Sequence, residues 1–203
     1  MPLEAPAGRI GAVVLAAGRS QRMGTVKMTL PWGETTVVGR VVSVLAQAGV
    51  GEIVVVTGSN RLEVEAAIDG LPARPVHNPH YAKDYMLLTL QAGMDALSPA
   101  VDACLVALGD GPQIEARIVL QVIDTYVRGG GPLVVPSYQM RRGHPWLVAR
   151  PLWVDLLRRE PPETPRAFLN AHAEQITYVE VDSDSILRDL DTPDDYARER
   201  PPG

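Results

Sequence analysis

The 203 residues carry a formal net charge of −5, with 17 Arg, 2 Lys and one Cys, which fits one domain of ordinary size that buries its core without metal or disulfide staples. The acidic balance offers no basic footprint for nucleic acid, and a lone cysteine, Cys104, excludes an intramolecular disulfide. No apolar stretch approaches the roughly 20 residues that cross a bilayer, and the start Met1-Pro2-Leu3-Glu4-Ala5-Pro6 lacks a secretory leader pattern, so no membrane association and a cytoplasmic location are expected.

In chain order, residues 10–17 form an apolar, β-branched run that reads as a buried strand. It feeds directly into Gly18-Arg19-Ser20-Gln21-Arg22-Met23-Gly24-Thr25-Val26-Lys27, a loop that combines glycines with cations. Gly18 and Gly24 free the backbone for positive φ and for close approach of an anion to main-chain N–H groups. Arg19, Arg22 and Lys27 supply charge, and Lys27 stands out in a chain with 17 Arg and only 2 Lys; a compact ammonium suits a phosphate contact. Five residues separate Gly18 from Gly24 and Lys27 follows three later, so the loop is not a Walker A motif, and the G-x-G-x-x-G dinucleotide pattern is absent. A plain strand-to-helix turn with solvated arginines is the alternative reading.

Beyond the loop, helices are predicted over 36–48, 62–68, 84–97 and 114–127, and strands over 52–57, 103–108, 133–136 and 176–181. This alternation predicts an α/β fold: one doubly wound, mainly parallel sheet with helices on both faces and right-handed crossovers. Neither a repeat nor a linker divides it, so 1–203 is read as one domain, with about 1–8 and 198–203 frayed. Ligands on such sheets gather at the carboxyl ends of strands, where the loop, Thr57-Gly58-Ser59-Asn60 and Gly109-Asp110-Gly111-Pro112 would share one edge. Asp110 leaves a buried strand between glycines, as a metal-binding carboxylate would. Near the end, Asp189 and Asp191 alternate and so share a face, while Thr192-Pro193 reads as an N-cap with proline at the first helical position. Asp110 and Asp191 together match the one or two carboxylates that Mg2+ usually takes. Arg141-Arg142-Gly143-His144-Pro145 is a third candidate, an anion grip or else a solvated hairpin turn. His77, His80 and His172 share no metal-like spacing, and Cys104 lies in an apolar run that marks it as a core residue.

Taken together, Leu15-Ala16-Ala17-Gly18-x-Ser20-x-Arg22-Met23-Gly24-x-x-Lys27, Val56-Thr57-Gly58, Gly109-Asp110-x-Pro112, Arg142-Gly143-His144-Pro145 and Asp189-Leu190-Asp191-Thr192-Pro193-x-Asp195-Tyr196 resemble the MobA-like NTP transferases, above all the molybdenum cofactor cytidylyltransferases. The resemblance implies a Rossmann-like fold of the nucleotide-diphospho-sugar transferase type. It implies Mg2+-dependent transfer of CMP from CTP, or of a nucleotidyl group from another NTP, to a phosphorylated pterin acceptor, with a molybdoenzyme as recipient of the product. Carried onto this chain, Leu15, Ala16, Ala17, Gly18, Arg19, Ser20, Gly24, Thr57 and Gly58 would hold the nucleotide. Arg22 and Lys27 would neutralise the triphosphate, Asp110 and Asp191 would hold Mg2+, and Arg142, Gly143 and His144 would face the acceptor. The family often has Gly before the methionine matching Met86, small hydroxyl residues after it and Gln at the position of Gly111. Tyr85, Leu87, Leu88 and Gly111 depart from that pattern, and the departures are expected to bear on the acceptor pocket. Guanylyl transfer, usually marked by glycine where Ala17 stands, a different phosphorylated acceptor, and a non-catalytic cofactor chaperone are the competing readings. Paired acids count against the chaperone, because carboxylates beside a triphosphate repel it unless a cation intervenes.

Overall fold

The computed structural model describes residues 10–201. In chain order the elements are β1 (Ile10–Ala16), the hairpin of β2 (Pro31–Trp32) and β3 (Thr35–Thr36), α1 (Val37–Gln47), β4 (Glu52–Thr57), α2 (Arg61–Ala67), β5 (Arg74–His77), α3 (Met86–Ala96) and β6 (Ala103–Leu108). There follow α4 (Ala116–Val127), β7 (Leu133–Tyr138), β8 (Arg141–Arg142), β9 (Trp146–Ala149), α5 (Trp153–Arg158), α6 (Pro165–Ala171), β10 (Ile176–Glu180) and α7 (Pro193–Glu199). The main sheet runs β10-β7-β9-β6-β1-β4-β5. The pairs β1–β4, β1–β6, β4–β5 and β7–β10 are parallel, whereas β9 is antiparallel to both β6 and β7, and β8 pairs antiparallel with β7.

Alternation along the strands sorts the core into two layers. Ala12, Val14 and Ala16 of β1 join Ile53, Val55, Leu105 and the apolar stripe of α1 and α4 on one face. Val13, Leu15, Val54, Val56 and Val106 join α3, α5 and α6 on the other. Both faces are covered, and this is why the central strands read as continuous apolar runs in the sequence. Cys104 is fully buried, and its burial pushes the thiol far above its ordinary range, which makes it inert packing.

The doubly wound, mainly parallel architecture agrees with expectation, with local corrections. Asp84 does not open α3: its φ of 58° closes a single 3-10 turn, Tyr81–Lys83, and the helix starts at Met86. Beyond the expected elements the chain also forms β2, β3, β5, β8, β9, α5 and α6. Arg198 and Glu199, expected to fray, belong to α7, where Arg198 pairs with Asp195 at 2.7 Å. The expected fraying of 1–8 and of 202–203 falls outside the described residues.

Candidate active site

Register along β1 sets the site. Leu15 is level with Val56 of β4 and with Leu108 of β6, so the segments after all three strands emerge at one edge. They then pack closely. The Gly109 N–H donates to the Leu15 carbonyl at 3.0 Å, and a β-carbon at residue 109 would meet that same oxygen at 2.9 Å. Gly58 lies against Ala17, where an added β-carbon would come within 2.8 Å of the Ala17 Cα and Cβ. These glycines let β1, β4 and β6 converge beneath the loop.

Within the loop, Ser20 takes φ 51° and Gly24 φ 66°, and Ser20 accepts the Met23 N–H at its carbonyl (3.0 Å) and the Lys27 N–H at its hydroxyl (3.3 Å). The resulting turn delivers Lys27, only 9 % exposed, to the sheet edge at the start of a 3-10 turn, Lys27–Thr29. The Arg19 guanidinium donates to the Ala82 carbonyl at 2.8 Å and ties the loop to the segment between β5 and α3.

The opposite wall comes from the chain's end. Leu190 is buried with Trp32 and Val37, its N–H donates to the Asp110 carbonyl at 2.9 Å, and the Tyr196 hydroxyl donates to the Pro31 carbonyl at 2.6 Å. Thr192 and Asp195 form a reciprocal capping box at the start of α7. With Leu190 turned into the core, its flanking acids turn toward Asp110. The segment is irregular rather than a strand, yet the shared face expected of Asp189 and Asp191 is present.

Asp110, Asp189 and Asp191 each offer an oxygen, and these oxygens lie within 4.8 Å of one another. Lys27 is ion-paired with Asp110, its Nζ lies 3.6 Å from Asp191 Oδ1, and Arg22 Nη1 lies 2.9 Å from Asp191 Oδ2. Asp189 reaches solvent at its edge, but partial burial, followed by the charges of Asp110 and Asp191, raises its pKa above the usual carboxylate value. Negative charge here exceeds what Lys27 and Arg22 balance. Three hard oxygen donors with that surplus fit a divalent cation such as Mg2+ or Mn2+.

A cavity of about 320 Å3 opens between these walls, and Leu15, Ala17, Gly18, Arg22, Lys27, Asp110 and Asp191 all line it. Ala16 is buried below it, Ser20 and Gly24 shape the loop, Thr57 is fully buried with its hydroxyl 3.5 Å from the Val76 carbonyl, and Gly58 supports Ala17. Asp189 stood outside the expected metal set, and Tyr81 and Thr89, not singled out in the sequence, line the same cavity as Tyr85 and Met86. The flanking of Leu190 by acids was the signal for Asp189. Of the departures from the family pattern, Tyr85 lines this cavity and Leu87 is wholly in the core.

A second cavity of about 230 Å3 adjoins the first, sharing Leu108 and Asp189, and Arg142 and His144 line it. Arg142 donates to the Tyr178 hydroxyl (2.8 Å) and the Asn170 side-chain carbonyl (2.7 Å), which fixes its charge on the rim. Gly143 packs on Ile186, whose Cβ a side chain at 143 would meet at 2.6 Å, and the His144 N–H donates to the Ile186 carbonyl at 2.9 Å. The His144 ring keeps an edge toward the cavity, while the surrounding protein desolvates it and lowers its pKa to about 4. It is neutral near pH 7.

A parallel-sheet edge that gathers a glycine-bearing loop, cations and carboxylates around one cleft defines a nucleotidyltransferase of the Rossmann-like, nucleotide-sugar transferase type. Residues 12–176 match the family described as the MobA-like NTP transferase domain, and the chain belongs to that family. It is 30% identical over 194 residues to the molybdenum cofactor cytidylyltransferase of Escherichia coli (strain K12), a match covering 94% of this chain and 96% of that protein. The crystal structure of Rv0371c from Mycobacterium tuberculosis H37Rv superposes with a TM-score of 0.82 at 30% identity, covering 95% of this chain and 97% of that one. A manganese complex of Rv0371c gives a TM-score of 0.73 at 27% identity, covering 94% and 97%. No helix among the described residues is long and apolar enough to cross a membrane.

Proposed function

We propose that the protein transfers CMP from CTP to the terminal phosphate of molybdenum-bound molybdopterin, with Mg2+, and releases pyrophosphate. The observation that carries this reading is the meeting of Lys27, Arg22, Asp110 and Asp191 in one cleft whose wall includes Ala17. The similarity to a protein named molybdenum cofactor cytidylyltransferase supports the choice of nucleotide and acceptor, and the manganese complex of Rv0371c supports a divalent cation.

The reaction needs no nucleophilic side chain. An oxygen of the acceptor phosphate attacks the α-phosphorus, the bond from that phosphorus to the bridging oxygen breaks, and pyrophosphate leaves with the electron pair. The protein's task is alignment and charge neutralisation. Lys27 and Arg22 would face the triphosphate, Leu15, Ala17 and Gly18 would bound the base and ribose, and Asp110 and Asp191, joined by Asp189, would hold Mg2+. When bound, Mg2+ supplies charge neutralisation at the α-phosphate and the leaving group. The adjoining cavity takes the acceptor, with Arg142 as a fixed positive charge and His144 as a neutral hydrogen-bonding ring. The test is pyrophosphate release from each of the four NTPs, with and without the molybdopterin acceptor. CTP with acceptor is expected to give the highest rate, and a preference for GTP, or release that ignores the acceptor, would overturn the assignment.

A further inference from the structure

Two of the three carboxylates suited to a divalent cation already hold a side-chain cation. Lys27 pairs with Asp110 and reaches toward Asp191, while Arg22 pairs with Asp191. The pairs differ in kind. The side chains of Lys27 and Asp110 are only 11% and 15% exposed, whereas that of Arg22 is 70% exposed. A surface pair of the Arg22 type is screened by water and easily parted, and a covered pair is not.

An ammonium and a divalent cation cannot share the inner oxygens of Asp110, because like charges in a covered site repel strongly. Lys27 is also the cation that the proposed reaction assigns to the triphosphate. From these facts we propose that Lys27 interlocks metal and nucleotide: its ammonium occupies the metal site until a triphosphate draws it off Asp110. The inference rests on the functional reading above and adds an order to it. A cation arriving alone must displace Lys27, which then has no anionic destination. A triphosphate arriving alone meets three carboxylates with too little positive charge between them. Each ligand therefore strengthens the other, and by linkage the coupling is the same in both directions.

The test reads metal binding directly. Mn2+ is titrated alone into wild type, Lys27→Met, Lys27→Gln and Arg22→Gln, with free Mn2+ followed by electron paramagnetic resonance and folding checked by melting. Repeating each titration with α,β-methylene-CTP, with the Mn2+ held by the analogue itself subtracted from a protein-free titration, gives the coupling. Wild type is expected to bind Mn2+ weakly alone and at least tenfold more tightly with the analogue. Both Lys27 variants should bind Mn2+ alone at least tenfold more tightly than wild type and lose most of the coupling. Arg22→Gln should gain less than threefold, since it never touches Asp110. Adding Asp110→Asn to Lys27→Met should abolish the gain. Lys27 variants that bind Mn2+ no better than wild type, or equal gains from Lys27 and Arg22 changes, would overturn the interlock, the second result being the mark of long-range charge alone. Because the readout is binding, a wild type that couples Mn2+ to the analogue but transfers no CMP would defeat the reaction assignment and leave the interlock standing.

Discussion

Gly58→Ala probes whether the packing beneath the loop is what positions the nucleotide. Gly58 is outside the left-handed region, so an alanine there adds no backbone strain and the whole effect is steric. Its β-carbon would sit 2.8 Å from the Cα and Cβ of Ala17 and closer still to the Ala17 carbonyl. Carbon atoms rest about 3.5–4.0 Å apart, so the end of β4 and the loop must separate by roughly 1 Å. Overpacking of this kind costs about 1–3 kcal/mol, and at this chain length each kcal/mol lowers the melting midpoint by about 2–4 °C. Ala17 and Gly18 line the cleft, and a displacement near 1 Å at a reacting site can cost on the order of a hundredfold. The assay pairs thermal melting with kcat/KM for CTP from pyrophosphate release. Gly18→Ala serves as the comparison, because its added β-carbon meets nothing within 4 Å and should leave the melting midpoint unchanged. A Gly58→Ala protein with wild-type melting and wild-type kcat/KM would refute the reasoning.

Asp110→Asn and Asp191→Asn should each keep the fold and lower kcat by roughly a hundredfold or more, since a lost metal ligand removes several kcal/mol of transition-state stabilisation; near wild-type turnover at saturating Mg2+ would contradict that residue's role. Ala17→Gly should raise the GTP-to-CTP ratio of kcat/KM without reversing it, because one carbon of pocket fit is worth about ten- to two-hundredfold; an unchanged ratio would remove Ala17 from base selection. The His144 pKa is depressed in the folded chain to about 4, so the unfolded chain takes up that proton first. Stability from this group is complete above about pH 6.5 and is lost as pH falls toward 4, by at most about 3 kcal/mol. His144→Asn should therefore flatten denaturant-measured stability across that window, and an unaltered pH profile would show that His144 is not the group responsible.

The central strands were legible because β1, β4 and β6 are covered on both faces and so read as unbroken apolar runs with turn residues after them. Residues 52–57 and 103–108 are strands over those same spans. What escaped has physical reasons. β5 is an edge strand that tolerates Arg74 and Pro75, which disguise it. β9 is a four-residue run directly after Gly143-His144-Pro145, too short to show periodicity, and its antiparallel insertion between β6 and β7 is a tertiary fact. The Thr164-Pro165 start of α6 carries the same capping signature as Thr192-Pro193, with the Thr164 hydroxyl accepting the Ala167 N–H, and was equally readable. At the site, residue types and spacing marked the loop, Asp110 and Asp191. They did not show that Arg19 bonds the Ala82 carbonyl, because that depends on the segment after the disguised β5. Tyr85 departs from the family pattern in the sequence, but its place in the cavity beside Lys27 and Asp110 required the fold.

The fate of label from CTP tests the central claim most directly. Wild type, Mg2+ and the molybdopterin acceptor are incubated with CTP labelled at the α- or the γ-phosphorus. Transfer of CMP puts the α label on the acceptor and the γ label in pyrophosphate. An α label that stays in free CMP, or a γ label that appears on the acceptor or in orthophosphate, would contradict nucleotidyl transfer to this acceptor.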